Sequence, residues 1–161
     1  MATWSEVEQA VPELAAFVRD RFEAHGLAIL ATLRADGSPR ISPLETVFAL
    51  GELWLGMMPN SFKALDLQRD PRFALHAATI DKGVTEGDAK LSGRAVEVLD
   101  EPTIKGYRKA FAAESGYPPP PGPFHLFRAD LTELSTVRVA GDHLDIDWWR
   151  EGVGVGRIER R

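Results

Sequence analysis

The most constraining stretch of the sequence runs from residue 27 to residue 58, where three short apolar segments are separated by glycine-containing turns. Residues 27–33 (LAILATL) form an apolar run too short for a stable helix. The Asp36-Gly37 pair after it suits the positive backbone angles of a tight hairpin turn. Residues 39–48 supply a second strand directly, Gly51 marks another turn, and residues 52–58 (ELWLGMM) alternate as a third strand. Three strands joined this closely predict an antiparallel meander.

The flanking sequence adds helices around that sheet. From Trp4 to Ala24, Val7, Val11, Leu14, Val18 and Phe22 recur at helical spacing, which predicts one N-terminal helix over residues 1–25. Ser5 is a candidate N-cap with Glu8 three residues on, and Gly26 a stop. Pro59-Asn60-Ser61 opens a short helix ending near Arg69, capped by Asn60 or Ser61. Further strands are predicted over 72–78, 90–99, 124–139 and 144–149, with a helix over 101–115. Residues 79–87 read as a loop, and the proline tract at 117–123 is confined to a stiff connector, because proline lacks the amide donor. Residues 150–161, with three glycines, read as an irregular tail. The expectation is one domain over residues 1–161, mainly β with peripheral helices, as a six- to seven-stranded antiparallel barrel.

Composition narrows the chemistry. A formal net charge of −5 over 161 residues excludes general nucleic-acid or anionic-membrane binding, which needs clustered positive charge. The absence of cysteine excludes thiolate zinc sites, disulfides and a cysteine nucleophile. His25, His76, His125 and His143 lack the local spacing of a metal site, and none is assigned a catalytic role. The N-terminus has acidic residues where a signal peptide is basic, and no apolar run approaches membrane-spanning length, so a cytoplasmic location without membrane association is expected.

Residues 31–76 carry three linked signatures: Thr32-Leu33 leading through Asp36-Gly37 to Pro39-Arg40, then Leu53-Trp54-Leu55, then Ser61-x-Lys63 followed by Asp70-Pro71-Arg72. In this order and spacing they resemble the core of the pyridoxamine 5'-phosphate oxidase-like split-barrel superfamily. The segment GDAKLSGRAVEV and the closing Trp148-Trp149 extend the likeness over most of the chain.

Strand alternation places Arg40 and Ser42 on one face of the second strand, with Ile41 and Pro43 on the other. An arginine can grip a phosphate with two parallel hydrogen bonds. The helix start at Asn60 and Ser61 favours an anion, and Lys63 adds a full charge in its first turn. The resemblance implies a bound phosphorylated flavin, either FMN or the deazaflavin coenzyme. By position it implies Arg40 and Lys63 as phosphate ligands and Ser61 as a helix-start donor. It places Ile41, Ser42, Pro43, Met57 and Met58 beside the ring or ribityl chain, and it implies a homodimer with the cofactor at the interface. The apolar third strand and the late tryptophans would suit that interface. No metal is expected.

Two departures bear on the cofactor. Glu45 and Phe62 stand where pyridoxamine-phosphate oxidases carry basic residues, and their C-terminal arginine-histidine motif is missing. These differences point away from vitamin B6 oxidation and give weight to the deazaflavin branch. Three readings follow: an oxidoreductase acting on a small-molecule substrate, a non-catalytic flavin, deazaflavin or haem binder, and a structural dimer whose phosphate site is blocked by Glu45 and Phe62. Trp148, Trp149 and Arg150 are either packing residues or contacts to a neighbouring subunit's cofactor, with Arg150 or Arg157 meeting its anionic tail. Arg94, following Gly93, either approaches a ligand or forms a cross-strand ion pair.

Overall fold

The computed structural model describes residues 1–161 as a nine-stranded antiparallel sheet with four helices. The chain begins with two helices, α1 (Trp4–Ala10) and α2 (Pro12–Glu23), where one was expected. Pro12 explains the break, since the residue before a proline is driven out of the helical region, and Val11 has φ −143° and ψ 64°. The N-cap is Thr3 rather than Ser5, and Glu6 completes the capping box.

Strands β1 (Ala28–Leu33) and β2 (Pro39–Leu44) form the hairpin around Asp36-Gly37. The predicted second strand does not continue as one ladder. It divides at Glu45 into β2 and β3 (Thr46–Ala49), and β3 pairs with β4 (Glu52–Met57). The expected three-stranded meander is therefore two hairpins. After α3 (Phe62–Arg69) come β5 (Arg72–Ala77), β6 (Asp88–Glu97), α4 (Glu101–Ser115), β7 (His125–Ala140), β8 (His143–Arg150) and β9 (Gly154–Arg160).

The main strand order is β2-β1-β5-β6-β7-β4-β3, with β8 on β7 and β9 on β8. Because β2 and β3 lie at opposite ends of this order yet are joined through Glu45, the covalent chain closes the barrel where hydrogen bonds do not. That unpaired seam is the split. The sixteen-residue β7 serves as the spine, pairing with β4 near its start, β6 along its middle and β8 near its end. The count rises above the predicted six or seven because of the division at Glu45 and because the supposed irregular tail is β9. Gly156 lets the backbone of β9 pass Trp148: a Cβ there would lie 2.3 Å from that indole.

Alternation along β1, β5 and β6 buries Leu30, Phe73, Leu75, Leu91 and Ala95 inside the barrel. The first two helices plug one end, with Trp4 and Phe22 packing edge-on against Phe48 at centroid distances of 4.5 and 6.2 Å. Outside the barrel, α4 packs Tyr107 and Phe111 onto Val47, Trp54 and Leu126 as a second, smaller cluster. Leu53, Trp54, Leu55 and Trp149 are buried within the protomer, so the apolar third strand and Trp149 are not available as an interface.

Gly93 sits at a register shift between β6 and β7, where an added Cβ would lie 2.1 Å from the backbone oxygen of Asp130. This close approach is to a neighbouring strand, not to a ligand. Gly93→Ala is expected to destabilise the fold by at least the ~1–3 kcal/mol typical of overpacking, read as a lower urea midpoint.

Candidate functional site

The second turn of α3 is docked against the β1–β2 hairpin by a buried carboxylate. Asp66, 3% exposed, accepts hydrogen bonds from Thr32 Oγ1 at 2.9 Å, Arg40 Nε at 2.6 Å and Arg69 Nη2 at 3.0 Å. Thr32 and Arg40 are register partners across the hairpin, so one carboxylate joins both strands to the helix. Arg69 also donates to the carbonyl of Leu33. Burial pushes the Asp66 pKa upward, but the hydrogen bonds from Arg40, Arg69 and Thr32 prevail and hold it below the ordinary carboxylate value.

This arrangement fixes Arg40 at the mouth of the α3 N-terminus. Only Nε is engaged by Asp66, which leaves the two terminal guanidinium nitrogens as donors. The guanidinium carbon lies 5.0 Å from the ring centroid of Phe62, which is itself 72% exposed. Phe62 therefore braces Arg40 instead of blocking it. Lys63 reaches back across the junction and donates to the backbone carbonyl of Pro43 at 2.7 Å, on the edge strand β2. Its ammonium retains two further donors, and burial holds its pKa below the ordinary lysine value.

Ser61 is the N-cap residue, yet its side chain makes no capping bond, and its buried Oγ has no partner in the protein. Such an orphaned hydroxyl is costly unless something meets it. Asn60, held at φ 56°, donates its backbone N–H to His125 Nε2 at 3.3 Å, and His125 Nδ1 meets Glu97 Oε1 at 2.9 Å. With Nε2 accepting, the ring proton belongs on Nδ1. The His125–Glu97 pair thus anchors the turn that presents Ser61, and Gln68 of α3 donates to the same carboxylate at 2.9 Å.

The structure brings Arg40, Ser61 and Lys63 together at the β2–α3 junction, with Ser42 on the same half-buried face of β2 as Arg40. Pro43 contributes through its carbonyl. Ile41 projects from the opposite face and is 74% exposed. The neighbouring methionines differ: Met57 is buried in the barrel core, whereas Met58 is 77% exposed beside the turn. Glu45 lies at the seam and lines a separate cavity with Gly56, Met58 and Tyr107.

The late arginines have their own partners. Arg150 pairs with Glu133 at 3.0 Å and covers Trp148, and Arg157 pairs with Asp147 at 2.6 Å. His76 Nδ1 meets the carbonyl of Ala77 at 2.6 Å, consistent with a structural role. His143, Asp145 and Glu159 bring donor atoms within 4.8 Å of one another across the β8–β9 hairpin. Sequence spacing hid this group because Glu159 arrives from the next strand.

A nearly closed sheet whose seam is flanked by a basic helix start defines the class as a split barrel with a candidate phosphate site. The chain belongs to the pyridoxamine 5'-phosphate oxidase family, whose profile matches residues 14–138. No curated protein matches the sequence. Among solved structures, a conserved hypothetical protein of Mycobacterium tuberculosis is 20% identical with a TM-score of 0.65, covering 79% of this chain and 92% of its own. A pyridoxamine 5'-phosphate oxidase-related, FMN-binding protein of Nostoc punctiforme is 16% identical with a TM-score of 0.62, covering 100% of this chain and 98% of its own. A haem-binding protein of Mycobacterium smegmatis is 14% identical with a TM-score of 0.59, covering 90% and 87% respectively. No helix is long and apolar enough to cross a membrane.

Asp66→Asn is expected to cost roughly 1.5–3 kcal/mol in urea unfolding, because it weakens charge-assisted hydrogen bonds to two partly exposed guanidinium groups. The native Asp66 pKa lies below its unfolded value near ~3.9, so its stabilisation is complete above that pH and lost as pH falls through the lower native value. Stability of the native chain should accordingly drop on acidification below about pH 4 more steeply than that of the asparagine variant.

Proposed function

We propose that this protein is an oxidoreductase that holds a phosphorylated flavin, FMN or the deazaflavin coenzyme, by its phosphate at the β2–α3 junction. The observation that carries the proposal is the unsatisfied Ser61 hydroxyl at a helix start flanked by Arg40 and Lys63. A phosphate offers acceptors for that hydroxyl, for the free Arg40 nitrogens and for the first-turn amides of α3, and its charge offsets both cations. Asp66 cancels part of the local positive charge, but Arg69 compensates, so the cluster remains net positive. Ser42 and Met58 are the residues on hand to border the ring system. Met57 contributes from the barrel side as packing.

When bound, such a cofactor supplies hydride chemistry, and the protein's part is anchorage, orientation and a substrate cavity. The His125–Glu97 pair at the junction is engaged in holding the Asn60 turn, which fits that division. The FMN-binding neighbour and the family profile favour a flavin, whereas Phe62 and Glu45 remove two cations of the ordinary FMN mode and keep the deazaflavin in play. The haem-binding neighbour makes haem the competing ligand.

The assembly that fits this reading is a homodimer formed through the outer face of β2, β1 and β5. There Ile41, Ala31 and Ala74 lie in one row by register, with Ile29 and Pro43 in the next. This face is a shallow groove, apolar at the β1–β2 end and polar where it runs on to Lys90, Ser92, Glu133 and Ser135. Exposed isoleucines of this kind are concentrated where a second surface covers them. The site of action is expected to be the cytoplasm.

Titrating the purified protein with FMN, deazaflavin and haem, followed by fluorescence and absorbance, is expected to show tight binding of one flavin. Arg40→Ala or Lys63→Ala should each weaken it by roughly 1–3 kcal/mol, or about 5- to 150-fold. Equal affinity in both variants would remove the anchor assignment. A tighter haem complex would replace the flavin reading. Ile41→Glu should convert a dimer to a monomer in light scattering, and an unchanged mass would relocate or exclude the interface.

A further inference from the structure

Helix α4 and the proline-rich segment after it roof a cavity of about 410 Å³ over the end of β4. Its walls are apolar and stiff. Tyr107 packs against Trp54, Phe111 and Phe124 at centroid distances of 5.8, 5.9 and 5.8 Å, and Pro119, Pro120, Pro121 and Pro123 complete the roof. Prolines and interlocked rings have little conformational freedom to lose when a ligand enters. The volume falls within the range of small-molecule sites.

Only two ionisable groups line this space, Glu45 and the Tyr107 hydroxyl. Tyr107 is almost wholly buried, yet its hydroxyl takes no part in the side-chain hydrogen bonds of the protein. Gly56 makes room for it, since a Cβ at that position would lie 2.8 Å from Oη. Burial, reinforced by the Glu45 carboxylate, pushes the phenol up to about 12, so it is a neutral donor at physiological pH. The hydroxyl has no protein acceptor and opens onto the cavity, where an acceptor on a ligand can take the place of water.

The entrance is mainly acidic, with Arg108 as a counter-charge: its guanidinium lies 4.6 Å from the Phe124 ring centroid and donates to the carbonyls of Pro120 and Gly122. Glu45 stands exposed at the barrel seam, and a second groove of about 610 Å³ shares Glu45 and Phe111 and adds Glu23 and Glu114. Glu23 is paired with Arg19 at 2.7 Å, but Glu45 and Glu114 have no salt-bridge partner. An anionic molecule meets like charge on this path, and a cation is drawn in.

We infer that this cavity is the substrate site beside the cradle and that it takes a flat aromatic ring bearing an alkylammonium group. The ring lies among Phe111, Phe124, Met58 and the prolines, the ammonium pairs with Glu45, and a polar acceptor on the molecule meets the Tyr107 hydroxyl. Aromatic and methionine walls favour a planar, polarizable guest. The cavity adjoins the cradle through two short backbone links: Pro43 to Glu45 from the carbonyl held by Lys63, and Met58 to Ser61 from the cavity rim to the helix start. Calling the guest a substrate rests on the cofactor reading above. The charge and shape preference of the cavity does not.

The test uses the full chain with tryptamine, indole and indole-3-acetate as probes, followed by calorimetry and backbone amide NMR, with FMN and the deazaflavin titrated in the same preparations. Tryptamine is expected to bind about tenfold or more tightly than indole-3-acetate, with shifts confined to residues 45, 56–59 and 107–124. Glu45→Gln should abolish that preference, and Tyr107→Phe, which keeps the packing ring, should weaken a 5-hydroxytryptamine probe more than tryptamine. Equal binding of amine and acid, an unaltered preference in Glu45→Gln, or shifts mapping elsewhere would overturn the inference. If neither flavin binds while the amine preference persists and depends on Glu45, the cavity chemistry stands and the oxidoreductase reading falls.

Discussion

A single buried carboxylate organises the candidate site. Asp66 draws together Thr32 of β1, Arg40 of β2 and Arg69 of its own helix, and so fixes both the angle of α3 and the position of the Arg40 guanidinium. An uncompensated charge in that place would be strongly unfavourable, and here each carboxylate oxygen has a donor. The geometry carries a functional consequence. A long, flexible arginine on an edge strand would lose considerable entropy on gripping an anion, but Nε and the Phe62 ring have already confined this one. The proposed cradle is preorganised by a carboxylate that itself meets no ligand.

The same logic extends to the other half of the cradle. Lys63 is held by the edge carbonyl of Pro43, and the Ser61 turn by the contact between Asn60 and His125, with Glu97 behind it. Three supports from three strands therefore converge on one helix start. The one buried side-chain polar atom left without a partner there is Ser61 Oγ. In a region otherwise so well satisfied, that exception is what supports the proposed phosphate site.

Much of this was legible in the residues. The alternation that put Arg40 and Ser42 on one face, the helix over 101–115 and the proline connector follow local rules that tertiary packing did not override. Asp66 and Glu97 were not legible, because an acidic residue in a surface-type helix or strand looks the same whether it meets water or an arginine from a distant segment. The phase of α3 holds a partial clue: Leu65 is more exposed than Asp66, the reverse of their hydropathy. His125 was unreadable for the same reason, its partners lying 28 and 65 positions away. The division at Glu45 escaped because a barrel that closes through the covalent chain leaves no turn signature. The tail was misread as irregular because of its glycines, whereas Gly156 is required by the indole of Trp148.

Glu45 links these observations. It occupies the one place where consecutive strands part company, β2 turning to β1 and β3 to β4, so its side chain stands at a seam that neither ladder fills. A basic residue there would extend the positive field of Arg40 and Lys63 and favour an anion along the whole groove. A glutamate leaves a cationic patch at the α3 start and an acidic cavity beneath α4. An asymmetric molecule, or a cofactor and a substrate of opposite charge lying end to end, is the occupant that such a divided field favours. The substitution that departs from the pyridoxamine-phosphate oxidases is thus better understood as a change in what the second half of the groove accepts than as the loss of the first.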